Sequence, residues 1–111
     1  MDTASTAPAT ATARNRAGTI SVRTTDEGLP MELQIDPREL RYGAARLAEE
    51  IVALNRRAAL EAAALRRDTL AAQGVPGDVL DRIGLPTRAD VARSQQQQDE
   101  TQPPVSWLRP V

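Results

Sequence analysis

The chain has 111 residues, no cysteine, no histidine and a net charge of −1. These features exclude a disulfide framework, a thiolate or histidine metal site and a histidine-activated nucleophile. The charge supplies no strong field toward nucleic acid or an anionic membrane, and no apolar run is long enough to span a bilayer. We therefore expect a cytoplasmic protein that has no cofactor, no membrane contact and no small-molecule substrate.

The N-terminal half begins without a pattern and then alternates. Residues 1–17 are rich in alanine and threonine and carry no periodic apolar signal, so we predict that they are disordered. Apolar and polar residues then alternate over Ile20–Arg23 and again over Met31–Asp36. This period of two predicts two strands, and Asp26 and Gly28 between them favour a turn. The interpretation is an antiparallel hairpin with one apolar face.

A single long helix is predicted to follow, over Arg38–Gln73. The segment is rich in alanine, leucine, glutamate and arginine, contains no proline, and meets Gly74 as a stop signal. Gly43 is the one weak position in it, at a cost of about 1 kcal/mol relative to alanine. Asp36 is predicted to cap the helix, with Glu39 completing a capping box.

The acidic residues at this junction also allow a chemical interpretation. Glu32, Asp36 and Glu39 lie within eight positions and include a possible acid–base or metal-binding carboxylate pair. That hypothesis lacks a third ligand, a histidine or a glycine-rich loop. The helix-cap interpretation explains Asp36 and Glu39 without it, so we expect no catalytic or metal site and no enzyme activity.

The predicted helix is too long for the predicted hairpin. At 1.5 Å per residue it would extend about 54 Å, whereas strands of about seven residues extend about 23 Å. Either the C-terminal segment or a second copy must cover the remaining apolar arc, and we expect a homodimer or an obligate partner. The apolar residues proposed to meet a partner are Leu47, Ile51, Leu54 and Leu65.

Two short helices and a tail complete the predicted α+β fold. Val79, Leu80 and Ile83 mark the first short helix, and Thr87 is placed as the N-cap of the second, with Asp90 three residues later. The glutamine- and proline-rich segment 94–111 is predicted to be disordered, and Trp107 within it is interpreted more readily as an isolated apolar residue of the tail than as a peptide anchor. The folded domain is therefore expected to comprise residues 18–93.

Arginines on the second half of the long helix suggest a nucleic-acid surface. A few arginine–phosphate contacts suffice for weak, salt-sensitive binding that does not depend on DNA sequence. The ordinary alternative is a charged helix face with intrahelical ion pairs. The candidate DNA-binding residues are Arg56, Arg57, Arg66 and Arg67.

Residues 18–70 contain Ile35-Asp36-Pro37 at the strand exit, then Leu47-Ala48-Glu49 and Ile51, then the alanines of residues 58–64. In these residues the segment resembles the YbaB/EbfC family of bacterial nucleoid-associated proteins. It implies a homodimer that binds DNA in the nucleoid. The family usually has a long helix before its first strand, where this chain has its alanine- and threonine-rich tract. A non-enzymatic protein of this kind is the leading hypothesis.

A second resemblance supports an alternative function. Leu47-Ala48-Glu49-Glu50-Ile51 and Gly84-Leu85-Pro86-Thr87 are similar to segments of mycobacterial EspD/EspH-like proteins associated with type VII (ESX) secretion. This similarity implies an actinobacterial accessory factor that binds a secretion-system protein. The sequence thus leaves two functions open, DNA binding and protein binding.

Overall fold

The computed structural model describes residues 8–101, with side chains described as far as residue 98. It has the predicted α+β architecture, but the antiparallel sheet has three strands, in the order β1-β2-β3, where a two-stranded hairpin was predicted, and helices follow. The elements are β1 (Thr10–Arg14), β2 (Ile20–Thr25), β3 (Pro30–Ile35), a 3-10 helix (Pro37–Tyr42), α1 (Ala44–Ala72), α2 (Gly77–Arg82) and α3 (Arg88–Thr101).

Strand β1 lies in a region predicted to be disordered, so that prediction is wrong for residues 10–14. The strand pairs with β2, Ala13 lies opposite Val22, and Ala13 is 4% exposed. Alanine alternates with threonine and arginine in this strand. Because alanine is small, this alternation gives no clear apolar signal in the sequence. The carboxamide oxygen of Asn15 accepts hydrogen bonds from the backbone N–H groups of Thr19 and Ile20, which closes the turn into β2.

Helix α1 packs across β1 and β2. Ile20 and Val22 on β2 are fully buried beneath it and form the core with Ala13, Leu54 and Ala58. Alternation places these strand residues on one face of the sheet. Alanines on α1 allow the helix backbone to approach that face closely, since Ala58 and Ala62 have no exposed surface.

The junction between β3 and α1 differs from the predicted continuous helix. Asp36 is a cap, as predicted, and accepts from the N–H of Arg38 at 2.9 Å, but it caps the 3-10 helix. Gly43 then adopts φ 96°, and α1 begins only at Ala44. The predicted capping box is wrong, because the N–H of Asp36 donates to the Thr19 carbonyl at 2.7 Å and the Glu39 carboxylate accepts from the Thr19 hydroxyl.

The C-terminal helices cover the end of α1 that extends beyond the sheet. Both α2 and α3 contact α1, and Leu80 and Val91 are buried, at 1% and 3% exposure. The predicted cap of α3 is confirmed, because the N–H of Thr87 donates to Asp90 and the N–H of Asp90 donates to the Thr87 hydroxyl, both at 3.0 Å.

The predicted domain limits need two changes. Helix α3 continues to Thr101, so the disorder predicted from residue 94 is wrong as far as residue 101. The folded unit also begins at β1 rather than at residue 18. The remaining predicted disorder, in residues 1–7 and 102–111 with Trp107, lies outside the described residues.

Candidate protein-binding surface

Strand β3 is an edge strand whose apolar side chains α1 leaves partly uncovered. Leu33 lies opposite Val22 and therefore shares the helix-facing side of the sheet. Val22 is 1% exposed, whereas Leu33 is 46% and Met31 is 52% exposed. Helix α1 packs mainly on β1 and β2, so it leaves the side chains of the next strand, β3, partly exposed.

The burial of the apolar side chains also changes along β3. Ile35, at the end of the strand, packs against the core together with Leu47 and Ile51 from the first turns of α1. Met31, at the start of the strand, lies at a bulge and has no residue opposite it on β2. We call Met31, Leu33 and Ile35 together the β3 edge; it is covered at Ile35 and open at Met31.

The backbone phase of β3 follows from one hydrogen bond. The N–H of Asp36 donates to the Thr19 carbonyl, which places these two facing residues at a hydrogen-bonded position of the ladder. Such pairs recur at every second position of an antiparallel ladder, so Gln34 and Glu32 point their backbone groups toward β2. The backbone groups of Leu33 and Ile35 consequently point away from the sheet, and no strand in the described part of the chain pairs with that side.

The opposite face of β3 is polar. Arg23 on β2 forms an ion pair with Glu32 at 3.3 Å, and the Gln34 amide lies 3.5 Å from the same carboxylate. Both pairs are solvent-exposed, so each stabilises the sheet by little.

Three of the four arginines predicted to bind DNA are engaged within the chain. Arg57 donates to the Arg14 carbonyl at 2.8 Å, and Arg66 lies 3.5 Å from the Asp26 carboxylate. Arg67 is 16% exposed and binds both the Leu85 carbonyl, at 2.7 Å, and Asp81, at 2.8 Å. Arg56 is exposed and forms no hydrogen bond or ion pair with residues 8–98, the range over which side chains are described.

The four leucine and isoleucine residues predicted to meet a partner do not form one surface. Leu54 is 5% exposed and belongs to the core, while Leu47 and Ile51 are half-buried against it. Leu65 is 39% exposed and lies farther along α1. Sequence reasoning missed Met31 and Leu33 because alternation shows that they face the helix side but not that the helix stops short of them.

No family model, curated protein or solved structure matches this chain. No helix between residues 8 and 101 is long and apolar enough to cross a membrane. Among residues 8–98, the range over which side chains are described, no group of three or more acidic side chains is placed to hold a metal ion.

Proposed function

We propose that this chain is a non-enzymatic protein-binding module and that the β3 edge is its binding surface. The observation that carries the proposal is the exposure of Met31 and Leu33, at 52% and 46%, on a strand with an open backbone side. A strand of this kind offers main-chain hydrogen bonds for affinity and side-chain positions for specificity. An open apolar edge is also a liability unless a partner covers it.

Two kinds of protein partner follow from the sequence hypotheses, a second copy of this chain and a secretion-system protein. The resemblance to type VII secretion-associated proteins supports an accessory role in that setting. Strand addition at β3 accommodates either partner, because it requires only an extended segment with apolar side chains at alternate positions.

Site-specific photo-cross-linking in cells tests the proposal. A photoactivatable residue replaces Leu33 in one variant. In a matched control it replaces Thr12, which is exposed on β1 on the face of the sheet that points away from α1. We expect covalent protein adducts from position 33 and none from position 12. Absence of adducts at position 33, or equal yields at both positions, would refute a binding surface at the β3 edge.

Weak, sequence-neutral DNA binding is a second candidate, favoured by one observation. Arg56 is exposed and has no charged partner in the described residues, and dimerisation would double its contribution. Electrophoretic shifts across a salt series test this candidate, since phosphate contacts weaken steeply as salt rises. Arg56→Ala should reduce any shift, whereas an unshifted probe at about 50 mM salt would remove the candidate.

A further inference from the structure

The backbone direction, side chains and charges of the β3 edge suit it to pairing with a copy of itself. We infer that a second copy of this chain binds there, with the two β3 strands antiparallel about a two-fold axis at Leu33. This inference rests on the proposed function, because it names the protein that the β3 edge binds. The result would be a continuous six-stranded sheet in which neither β3 remains an edge.

The backbone supports an axis at this residue. Leu33 and Ile35 direct their N–H and C=O groups away from β2, and Met31 has no residue opposite it on that strand. An axis at Leu33 places Leu33 beside the partner's Leu33 and Met31 beside the partner's Ile35. The outward-facing groups of one copy then meet those of the other.

The apolar side chains complement one another in the same register. Residues directly opposite in an antiparallel pair lie on the same face, so Met31 would contact the partner's Ile35. Ile35 is the end of the strand that Leu47 and Ile51 already cover. The uncovered end of each strand therefore meets the covered end of the other, which shields the Met31 side chain that is 52% exposed in one copy.

The charges on the polar face select this register over its neighbours. An axis at Leu33 places Glu32 opposite the partner's Gln34, whose amide can donate to the carboxylate. An axis at Glu32 would instead bring two glutamates together, and an axis at Gln34 would place Glu32 opposite the partner's Asp36. Like charges directly opposite each other destabilise a sheet, so the register at Leu33 is favoured.

The other edge of the sheet lacks these features. Strand β1 carries alanine and threonine, its Ala13 is already buried, and the carbonyl of its last residue, Arg14, accepts a hydrogen bond from Arg57. Exposed large apolar side chains of the sheet lie on β3 instead. A second copy therefore gains more buried apolar area at β3 than at β1.

Single cysteines test the register in the full-length chain, which contains no native cysteine. Facing residues of a hydrogen-bonded pair have Cα atoms about 5.5 Å apart, within the range of a disulfide. Leu33→Cys should therefore form a disulfide-linked dimer on mild oxidation. Gln34→Cys is the matched control, because two copies of residue 34 would lie about 8 Å apart, too far for a bridge. Failure of Leu33→Cys to cross-link, or equal cross-linking at both positions, would overturn the inference.

Charge changes at Gln34 provide a second test that leaves the protomer's core untouched. Gln34→Glu places a glutamate opposite the partner's Glu32 at two symmetric positions, whereas Gln34→Lys places an opposite charge there. We expect the dimer dissociation constant, measured by sedimentation equilibrium, to rise roughly two- to thirty-fold in the first variant and to fall in the second. Added salt should reduce both effects. Thr12→Glu adds a negative charge at an exposed position of β1 and should leave the dimer dissociation constant unchanged.

The combined outcomes separate this inference from the proposed function. Adducts at position 33 with a different protein, together with a monomeric purified chain, would overturn the second-copy inference and leave the protein-binding function standing. Equal shifts in the same direction from Gln34→Glu and Gln34→Lys would overturn the register. Absence of any adduct at position 33, with a monomeric chain, would overturn both proposals.

Discussion

At the scale of single residues, a buried polar bridge fixes the position of α1 on the sheet. The hydroxyl of Thr24, which has no exposed surface, donates to the Asn55 carboxamide oxygen at 2.7 Å. The Asn55 amide nitrogen in turn donates to the Gly28 carbonyl at 3.2 Å, in the turn between β2 and β3. One helix residue thus holds both the central strand and the turn that leads into the β3 edge.

Asn55→Ala should lower the free energy of unfolding by about 1–3 kcal/mol, because it leaves the buried Thr24 hydroxyl without a partner. Urea denaturation measures the change. Replacing Thr24 by valine as well removes the stranded hydroxyl, so the double variant should lose less than the sum of the two single variants. Strict additivity, or an Asn55→Ala protein as stable as the parent, would show that the bridge does not stabilise the fold.

The cap at Asp36 predicts a defined pH dependence. The side chain of Arg38 and its backbone N–H donate to this carboxylate and lower its pKa from 3.8 to about 2. Because the pKa is depressed in the folded state, the stabilisation is present above the unfolded pKa and is lost as the pH falls through about 2. Asp36→Asn retains an acceptor at the cap but removes the charge.

The comparison of parent and Asp36→Asn should therefore depend on pH. We expect the parent's advantage in free energy of unfolding to be constant above about pH 4 and to shrink toward pH 2. Added salt should reduce it, since the ion pair with Arg38 is exposed to solvent. Denaturant titrations at several pH values provide the measurement, and an advantage that does not change between pH 2 and pH 7 would contradict the assignment.

At the scale of elements, Gly43 separates what sequence pattern can predict from what it cannot. Composition correctly indicates a long helix that ends near Gly74, because alanine, leucine and arginine all favour helix. The same reasoning places the helix start at Arg38, since nothing in the local propensity shows that the chain must turn from the sheet edge onto its face. That turn requires the 3-10 helix and a residue with φ 96°.

Gly43→Ala distinguishes the two descriptions of the junction. If Gly43 lay inside a continuous helix, alanine would stabilise the protein by about 1 kcal/mol. At φ 96° and ψ 149° a Cβ is strained, so we expect a loss of about 1–3 kcal/mol in the free energy of unfolding. Gly77→Ala, in α2 and without positive φ, is the control and should be neutral or slightly stabilising. A stabilising Gly43→Ala would mean that the helix is continuous.

The β3 edge shows a similar division between sequence and structure. Alternation correctly places Leu33 and Ile35 on the same face as Ile20 and Val22, and the register confirms it. The degree of cover on that face depends on where a single helix, about 10 Å wide, crosses three strands spaced about 4.8 Å apart. That crossing is a tertiary property, so the exposure of Met31 and Leu33 could not be predicted from the pattern.

At the scale of the whole molecule, the fold is long and its core is thin. The described structure measures 56 × 30 × 18 Å with a radius of gyration of 16.5 Å, against about 13 Å for a compact domain of this chain length. The sheet covers only part of α1, which is about 43 Å long. Stability must therefore come from several small contacts along the helix, including those of α2 and α3.

The sequence alone left two candidates to cover the far half of α1, the C-terminal segment or a second copy. In the structure the C-terminal helices occupy this place: Arg67 binds the Leu85 carbonyl, and Arg88 lies 2.9 Å from Glu61 and 3.3 Å from Asp68. Dimerisation consequently has no need to involve that half of the helix. A second copy is proposed to bind at the β3 edge instead, where Met31 and Leu33 are exposed.

Paired substitutions on α2 test whether these helices are integral to the fold. Leu80 is 1% exposed and Ile83, three residues later, is 59% exposed. Leu80→Ala should lower the free energy of unfolding by about 2–5 kcal/mol, because it leaves a cavity where α2 packs on α1. Ile83→Ala removes a similar side chain from the surface and should change stability by no more than about 0.5 kcal/mol. Guanidinium or urea denaturation measures both, and equal effects would show that α2 is not docked. Since neither residue lies at β3, dimer dissociation constants of the folded variants should match the parent's, which keeps the support of α1 separate from the binding surface.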